Sequence, residues 1–309
     1  MIDFKHKPIM LNEVVDGLNI KKDGTYLDCT VGGAGHSTAI AKKLKSGMLL
    51  CLDKDEDALS VSKERLKSFN AKLYHTDFKN FEEALEHFKV DKLDGILLDL
   101  GVSSYQLDTK DRGFSYNMDA KLDMRMDKTQ ELSAYEVVNT YSKEELAKIF
   151  REYGEEQFAN NIAKHIVQDR KEKKIETTFQ LVEIIQKAIP AKIRFKGSHP
   201  AKKVFQAIRI EVNSELDKLY DTIIKLFQHL NKGGRLAIIT FHSLEDRIVK
   251  KAFSLLSTDC LCPPSAPICV CGHKKEGILI SRKPITASEE ENAENPRAHS
   301  AKLRIIEKL

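Results

Sequence analysis

Four short apolar runs, separated by amphipathic stretches, constrain this chain more than anything else in it. The first is Thr25-Tyr26-Leu27-Asp28-Cys29 and the second Met48-Leu49-Leu50-Cys51-Leu52, ending at Asp53. A weaker third is Ala71-Lys72-Leu73-Tyr74-His75, and the fourth is Leu93-Asp94-Gly95-Ile96-Leu97-Leu98-Asp99. Helical periodicity fills the intervals, over residues 37–44, 57–69 and 81–88. Strand-length apolar runs alternating with helices predict parallel strands joined by helical crossovers.

The alternation stops after Gly101. Residues 102–128 have no periodicity and are rich in Asp, Ser, Gly and Met. A loop this long inside a compact domain is usually functional. A helical block follows, opened by the capping box Ser142-Lys143-Glu144-Glu145 and continued over residues 155–173. Thr177-Thr178-Phe179-Gln180 starts another helix running to Ala188, with Pro190 beyond it. The α/β pattern then resumes. A helix is predicted over 214–230, stopped by Lys232-Gly233-Gly234, then a fifth strand over 235–240 and a helix over 244–255. Runs at 277–281 and 302–307 are predicted to pair as terminal strands, and Glu289-Glu290-Glu291 reads as a solvated loop. The expected architecture is α/β and Rossmann-like, with a mostly parallel sheet and a terminal antiparallel strand pair. That domain spans residues 1–108 and 206–309. A mostly helical domain over 109–205 interrupts it and is expected to recognise the substrate.

The glycine loop Asp28-Cys29-Thr30-Val31-Gly32-Gly33-Ala34-Gly35-His36-Ser37 joins the first strand to the first helix. Glycines let a backbone approach a ligand closely, and open α/β sheets bind ligands beyond the carboxyl ends of their strands. Asp53, ending the second strand, suits ribose hydroxyls, and Asp77-Phe78 after the third lies where an adenine would rest. Singly, Asp28 and Asp53 read equally well as a strand end or a helix cap. Together with Gly33, Ala34 and Gly35 they indicate a nucleoside cofactor. A dinucleotide fingerprint needs a third glycine where Thr38 stands. Asp28 would also repel a pyrophosphate, whereas it suits the ammonium or sulfonium of S-adenosylmethionine. The expected class is therefore a class I S-adenosylmethionine-dependent methyltransferase. A nicotinamide-dependent oxidoreductase lacks its third glycine, and a non-catalytic RNA-binding module conflicts with the intact loop, Asp53 and Asp99.

Asp99 ends the fourth strand, where this fold presents the transferred methyl group. An exocyclic amine is a poor nucleophile because its lone pair is delocalised. Acceptors such as Asp99, aimed at its hydrogens, favour a more tetrahedral nitrogen. The base must also leave its stack, often against an aromatic ring. Tyr105, Phe114 and Tyr116 are candidates, though each fits plain packing as well.

The chain has 309 residues, 41% hydrophobic and 31% charged, with a net charge of +4. That excess permits an RNA partner without requiring one. No apolar run approaches the roughly 20 residues of a membrane span, and the start lacks a signal-peptide pattern, so the expected location is cytoplasmic. Lys192, Arg194, Lys196, His199, Lys202 and Lys203 crowd together around Phe195 with no acid among them. They are the best candidates for phosphate contact, against the alternative of a solvated face. Arg209, Glu211 and Asn213 read as structural or site-lining. Cys29 and Cys51 read as buried thiols. Cys260-x-Cys262 and Cys269-x-Cys271, with His273 beyond, could hold a zinc ion. The C-x-C spacing is tighter than usual and cytosolic disulfides are rare, which favours free thiols over a structural metal.

These motifs have a family context. The chain resembles the bacterial 16S rRNA cytosine-N4-methyltransferases, the MraW family, over nearly its whole length. The resemblance rests on His6-Lys7-Pro8-Ile9-Met10-Leu11, Gly32 to Ser37, Leu97 to Asp108, Arg112-Gly113-Phe114-Ser115, Leu122 to Asp127, Ala207 to Asn213, Ser243 to Arg247, and Ser300 to Arg304. It implies methylation of a cytidine in the decoding region of the small ribosomal subunit. It implies cofactor contacts at Ala34, Gly35, His36, Asp53, Phe78, Asp99 and Gln106, the last assigned by resemblance alone. It also suggests a homodimer. The chain departs from the family at the loop, where many members carry glycine in place of Ala34. An alanine is compatible with cofactor binding if its φ is negative.

Overall fold

Leucine- and isoleucine-rich runs form the strands of one sheet. The computed structural model describes residues 8–194, 197, 199–263, 266 and 268–309. In chain order the strands are β1 (Thr25–Asp28), β2 (Met48–Asp53), β3 (Ala71–His75), β4 (Leu93–Asp99), β5 (Leu230–Thr240), β6 (Gly277–Leu279), β7 (Ile285–Thr286) and β8 (Lys302–Lys308). They lie in the order β3-β2-β1-β4-β5-β8-β6, with β7 also on β8. β1 to β5 are mutually parallel, and β8 runs antiparallel to β5, β6 and β7. The predicted parallel sheet and terminal antiparallel strands are both present. Central strands buried on both faces need continuous apolar runs, and Leu49, Leu50, Cys51 and Leu52 of β2 are all buried.

The chain goes outward from β1 through β2 to β3, then returns to the other side of β1 as β4. That reversal opens a crevice at the carboxyl ends of β1 and β4. Helices Gly35–Lys43, Glu56–Arg65 and Phe81–Phe88 make the crossovers, and Leu219–Gln228 and Ser243–Ser257 flank β5.

Three local expectations fail. The helix predicted over 214–230 begins only at Leu219, because Ser214 and Lys218 take left-handed conformations. β5 starts at Leu230, ahead of the Gly233-Gly234 pair. A register shift between Leu93 and Gly95 accommodates the extra residues, and Gly233 supplies a φ of 75°. The acidic stretch is a helix, Glu289–Glu294. Ser288 caps it, and Glu291 accepts the Met10 N–H at 2.8 Å.

The chain divides into two units, one comprising the described residues up to Gly101 with Asp217–Leu309, the other Val102–Leu216. The second unit is helical. Its longest helices are Lys143–Glu152, Ala159–Glu172, Thr178–Ala188 and Lys202–Asn213, around Phe150, Ile162, Leu181 and Ile208. Capping boxes open at Ser103, Ser133, Ser142 and Thr177. The aperiodic stretch 102–128 contains the short helix Ser104–Asp108 and is pinned by polar side chains. Arg112 donates to the carbonyls of Arg125 and Met126, both at 3.0 Å. Asn213 accepts from Met126 N–H and donates to Met124 O, both at 2.8 Å. Arg209 pairs with Glu215 at 2.8 Å, and Tyr141 donates to Glu211 at 2.7 Å. Arg209, Glu211 and Asn213 are thus structural within this unit. Among the described residues no helix is long and apolar enough to cross a membrane.

Candidate active site

Strand register brings the predicted acids together. Asp28 of β1 pairs with Cys51 of β2 and Leu97 of β4. Asp53 and Asp99 stand two residues further along those neighbours. Strand side chains two apart share a face, so all three carboxyls emerge on one face at the carboxyl ends of adjacent strands.

The glycine loop runs over this end. Ser62 Oγ donates to Gly32 O at 2.8 Å and the Arg65 guanidinium to Gly33 O at 2.6 Å. Gly35 must lack a side chain, because a Cβ there would stand 2.2 Å from Pro8 Cγ. Ala34 does not meet the condition of a negative φ. It sits at φ 58°, ψ 27°, fully buried, as the residue before helix Gly35–Lys43. A left-handed alanine costs on the order of 1 kcal/mol, which accounts for glycine being the easier choice.

Two of the carboxyls are held by their own donors. Asp28 accepts Ser37 Oγ–H at 2.5 Å and Thr30 N–H at 3.1 Å. Asp53 accepts Gly32 N–H at 2.8 Å and Asp55 N–H at 2.9 Å. Asp99 is different. Its backbone N–H donates to Thr30 Oγ1 at 2.8 Å, but its carboxyl Oδ1 is buried with no hydrogen-bond partner among the described residues. Burial pushes Asp28 and Asp53 up to about 6. Burial, reinforced by Asp28 and Glu245, pushes Asp99 up to about 8.

Among the described residues no lysine or arginine forms an ion pair with Asp28, Asp53 or Asp99. His36 Nδ1 lies 3.6 Å from Asp99 Oδ2. Burial lowers His36 to about 4, and its Nε2 donates to Ile9 O at 3.0 Å. The ring is therefore neutral at pH 7 and the contact is not an ion pair. Among the described residues the site has three buried or half-buried carboxyls, an orphaned carboxyl oxygen and no cation paired with them. That arrangement fits a cationic ligand and disfavours a pyrophosphate.

Phe78, half-buried, opens the short 3-10 turn Phe78–Asn80 that Asp77 caps through Lys79 N–H at 3.0 Å. Thr30, Ser37 and Glu245 were not singled out as site residues from sequence. Glu245 is buried beyond β5 and accepts the N–H groups of Phe241 (2.8 Å) and His242 (3.3 Å). The pattern His242-x-x-Glu245 is the signal that could have found it, a capping box with histidine in the usual serine position.

The remaining candidates belong to the inserted unit. Gln106 is buried, and its side-chain carbonyl accepts Ser103 N–H at 3.0 Å. Tyr105 is half-buried. Phe114 is a core residue of the unit, with the Arg112 guanidinium 5.9 Å from its ring centre, so packing accounts for it. Tyr116 stacks on His199 at 4.6 Å. Lys192 and Lys202 are exposed. Arg194 donates to Ile189 O at 3.1 Å and Lys203 to Glu155 O at 2.9 Å, so both already serve local structure. Lys196 and Phe195 lie outside the described residues. Cys29 and Cys51 are buried free thiols, as read.

The model of the MraW methylase family matches residues 3–309. The chain belongs to the MraW methylase family. Relatives agree with that membership over full length. A protein from Lachnospira eligens named ribosomal RNA small subunit methyltransferase H is 55% identical, with 100% of this chain and 99% of that protein aligned. The same-named protein of Clostridioides difficile is 55% identical with 100% of both aligned. Among solved structures, an rRNA methylase from Streptococcus thermophilus aligns over 99% of this chain and 98% of its own at 12% identity. Its TM-score is 0.40, a likeness too remote to add to the family's own.

Proposed function

We propose that this chain transfers the methyl group of S-adenosylmethionine to the exocyclic N4 of a cytidine in the decoding region of 16S rRNA. The observation that carries the cofactor half is the charge deficit at the strand ends. Buried carboxyls facing a neutral histidine are stabilised by a ligand that brings positive charge. S-adenosylmethionine supplies an electrophilic methyl on a cationic sulfur. The loop Gly33–Ala34–Gly35–His36 with Asp28 and Asp99 would hold its charged portion, Asp53 its ribose hydroxyls and Phe78 its adenine. Gln106 is carried as a further contact by family resemblance.

Asp99 is the residue proposed to act on the amine. A carboxyl raised to about 8 becomes an effective acceptor once a cation favours its ionised form. It can then accept a hydrogen of the amine, favouring the tetrahedral nitrogen, and take the proton released on transfer. The substrate half rests on the relatives named for small-subunit rRNA. The inserted unit is proposed to recognise that RNA, with Lys192 and Lys202 the stronger phosphate contacts, Arg194 and Lys203 the weaker, Lys196 a further candidate carried from the sequence alone, and Tyr105 ahead of Phe114 as the ring beside the base.

The test is methyl transfer to small ribosomal subunits from a strain lacking the enzyme, followed by mass spectrometry of the nucleosides. Label on cytidine N4 is the expected result. Label on a ring carbon, on ribose, or on another nucleoside overturns the assignment.

A further inference from the structure

Between helix Ser243–Ser257 and β6 the chain carries four cysteines that the methyl-transfer reading does not use. Their Sγ atoms converge. Cys260 lies 3.4 Å from Cys269 and 3.7 Å from Cys271, and Cys269 lies 3.6 Å from Cys271. Cys262 joins them, with all four Sγ within 4.8 Å of one another. None is disulfide-bonded. Tetrahedral zinc with bonds of about 2.3 Å to sulfur requires sulfurs about 3.8 Å apart. The quartet is already close to that spacing.

The backbone is arranged for thiolates as well. The middle residue of each C-x-C donates its N–H to the last cysteine of the other pair: Leu261 to Cys271 and Val270 to Cys262, both at 3.4 Å. Cys262 N–H also points at Cys260 Sγ at 3.4 Å. This reciprocal pairing makes the C-x-C spacing workable.

The described residues of the loop bury little apolar surface. Leu261, Ile268 and Val270 are 51%, 74% and 85% exposed, so the large apolar side chains among the described residues of the segment form no core. Small unsupported segments of this kind are held by disulfides or metals. His273, whose Nε2 contacts Leu255 O at 2.9 Å, ties the segment to its helix and is not needed as a ligand.

We propose that Cys260, Cys262, Cys269 and Cys271 form a structural tetrathiolate zinc site. Four protein ligands leave no open position, so the metal shapes the loop and takes no part in catalysis. Each cysteine binds as thiolate, its proton passing to solvent, with no change of oxidation state.

The experiment is elemental analysis of the full-length, untagged chain purified under reducing conditions without chelator. About one zinc per chain is expected, lost in the Cys262→Ser/Cys269→Ser double variant. Because that variant could misfold, the wild-type protein is also exchanged with cobalt. Intense thiolate-to-cobalt charge-transfer absorption with tetrahedral d–d bands is expected. Four rapidly titrating thiols with no zinc after zinc is supplied, a disulfide among these cysteines, or iron in place of zinc would each overturn the proposal.

Discussion

Asp99 concentrates the chemistry of the site into one side chain, because its Oδ1 is buried without a partner while Asp28 and Asp53 are each satisfied by two donors. An unpaired buried acceptor lowers stability and is retained where it serves a ligand. Asp99→Asn keeps the shape and removes the charge. Turnover should fall by about a hundredfold while the thermal midpoint holds or rises, since a buried carboxyl has gone. Steady-state kinetics with calorimetry checks both, and unchanged kcat would remove Asp99 from the chemistry. Ala34 makes the opposite case. Its φ of 58° stores strain that glycine would release, offset by the greater freedom of glycine in the unfolded chain. Ala34→Gly should be neutral to stabilising by up to about 1 kcal/mol in urea unfolding. A clear destabilisation would show that the alanine methyl is needed for packing.

At the level of elements, the start of helix Ser243–Ser257 supports the site from behind. Glu245 satisfies two backbone donors and adds negative charge near Asp99. Glu245→Ala should cost about 2 kcal/mol through the stranded N–H groups. Glu245→Gln keeps an acceptor, should cost much less, and should move the acidic limb of the pH–rate profile, set by Asp99, to lower pH. Equal losses in the two variants would contradict the capping role. The same element shows where sequence reading ends. β1, β2 and β4 were legible because strands buried on both faces must be apolar throughout, and their terminal aspartates stood out against that background. β5 was read five residues short, since Lys232-Gly233-Gly234 looks like a stop and only the irregularity opposite Leu93 makes room for it. Helix Glu289–Glu294 has no apolar face to read, and depends on Ser288 and a contact with Met10 far away in sequence. Thr30 and Glu245 escaped notice because their roles depend on which residues the sheet brings beside them. The four cysteines stood out as possible zinc ligands, but their tight C-x-C spacing favoured free thiols, and only the folded loop brings the four sulfurs together.

For the whole molecule, the acids at the strand ends couple stability, binding and pH. Asp99 holds its proton to about pH 8, against 3.8 in the unfolded chain, and Asp28 and Asp53 to about 6. Between those limits the folded state binds more protons than the unfolded one, so this stabilisation is lost as pH rises. His36, lowered to about 4, has the opposite effect between there and 6.5. Ligand-free protein should therefore lose thermal stability from pH 6.5 to 8.5, chiefly through Asp99. A scan showing a rise over that interval would place the proton elsewhere. A cationic ligand should reverse the trend, because it favours the ionised carboxyls. Titration calorimetry with S-adenosylmethionine and its neutral-sulfur product, S-adenosylhomocysteine, at pH 6.5 and 8.5 tests this most directly. The affinity ratio of sulfonium to thioether should rise about tenfold over that range and flatten in Asp99→Asn. A ratio independent of pH in the wild-type protein, or tight binding of a dinucleotide instead, would contradict the account.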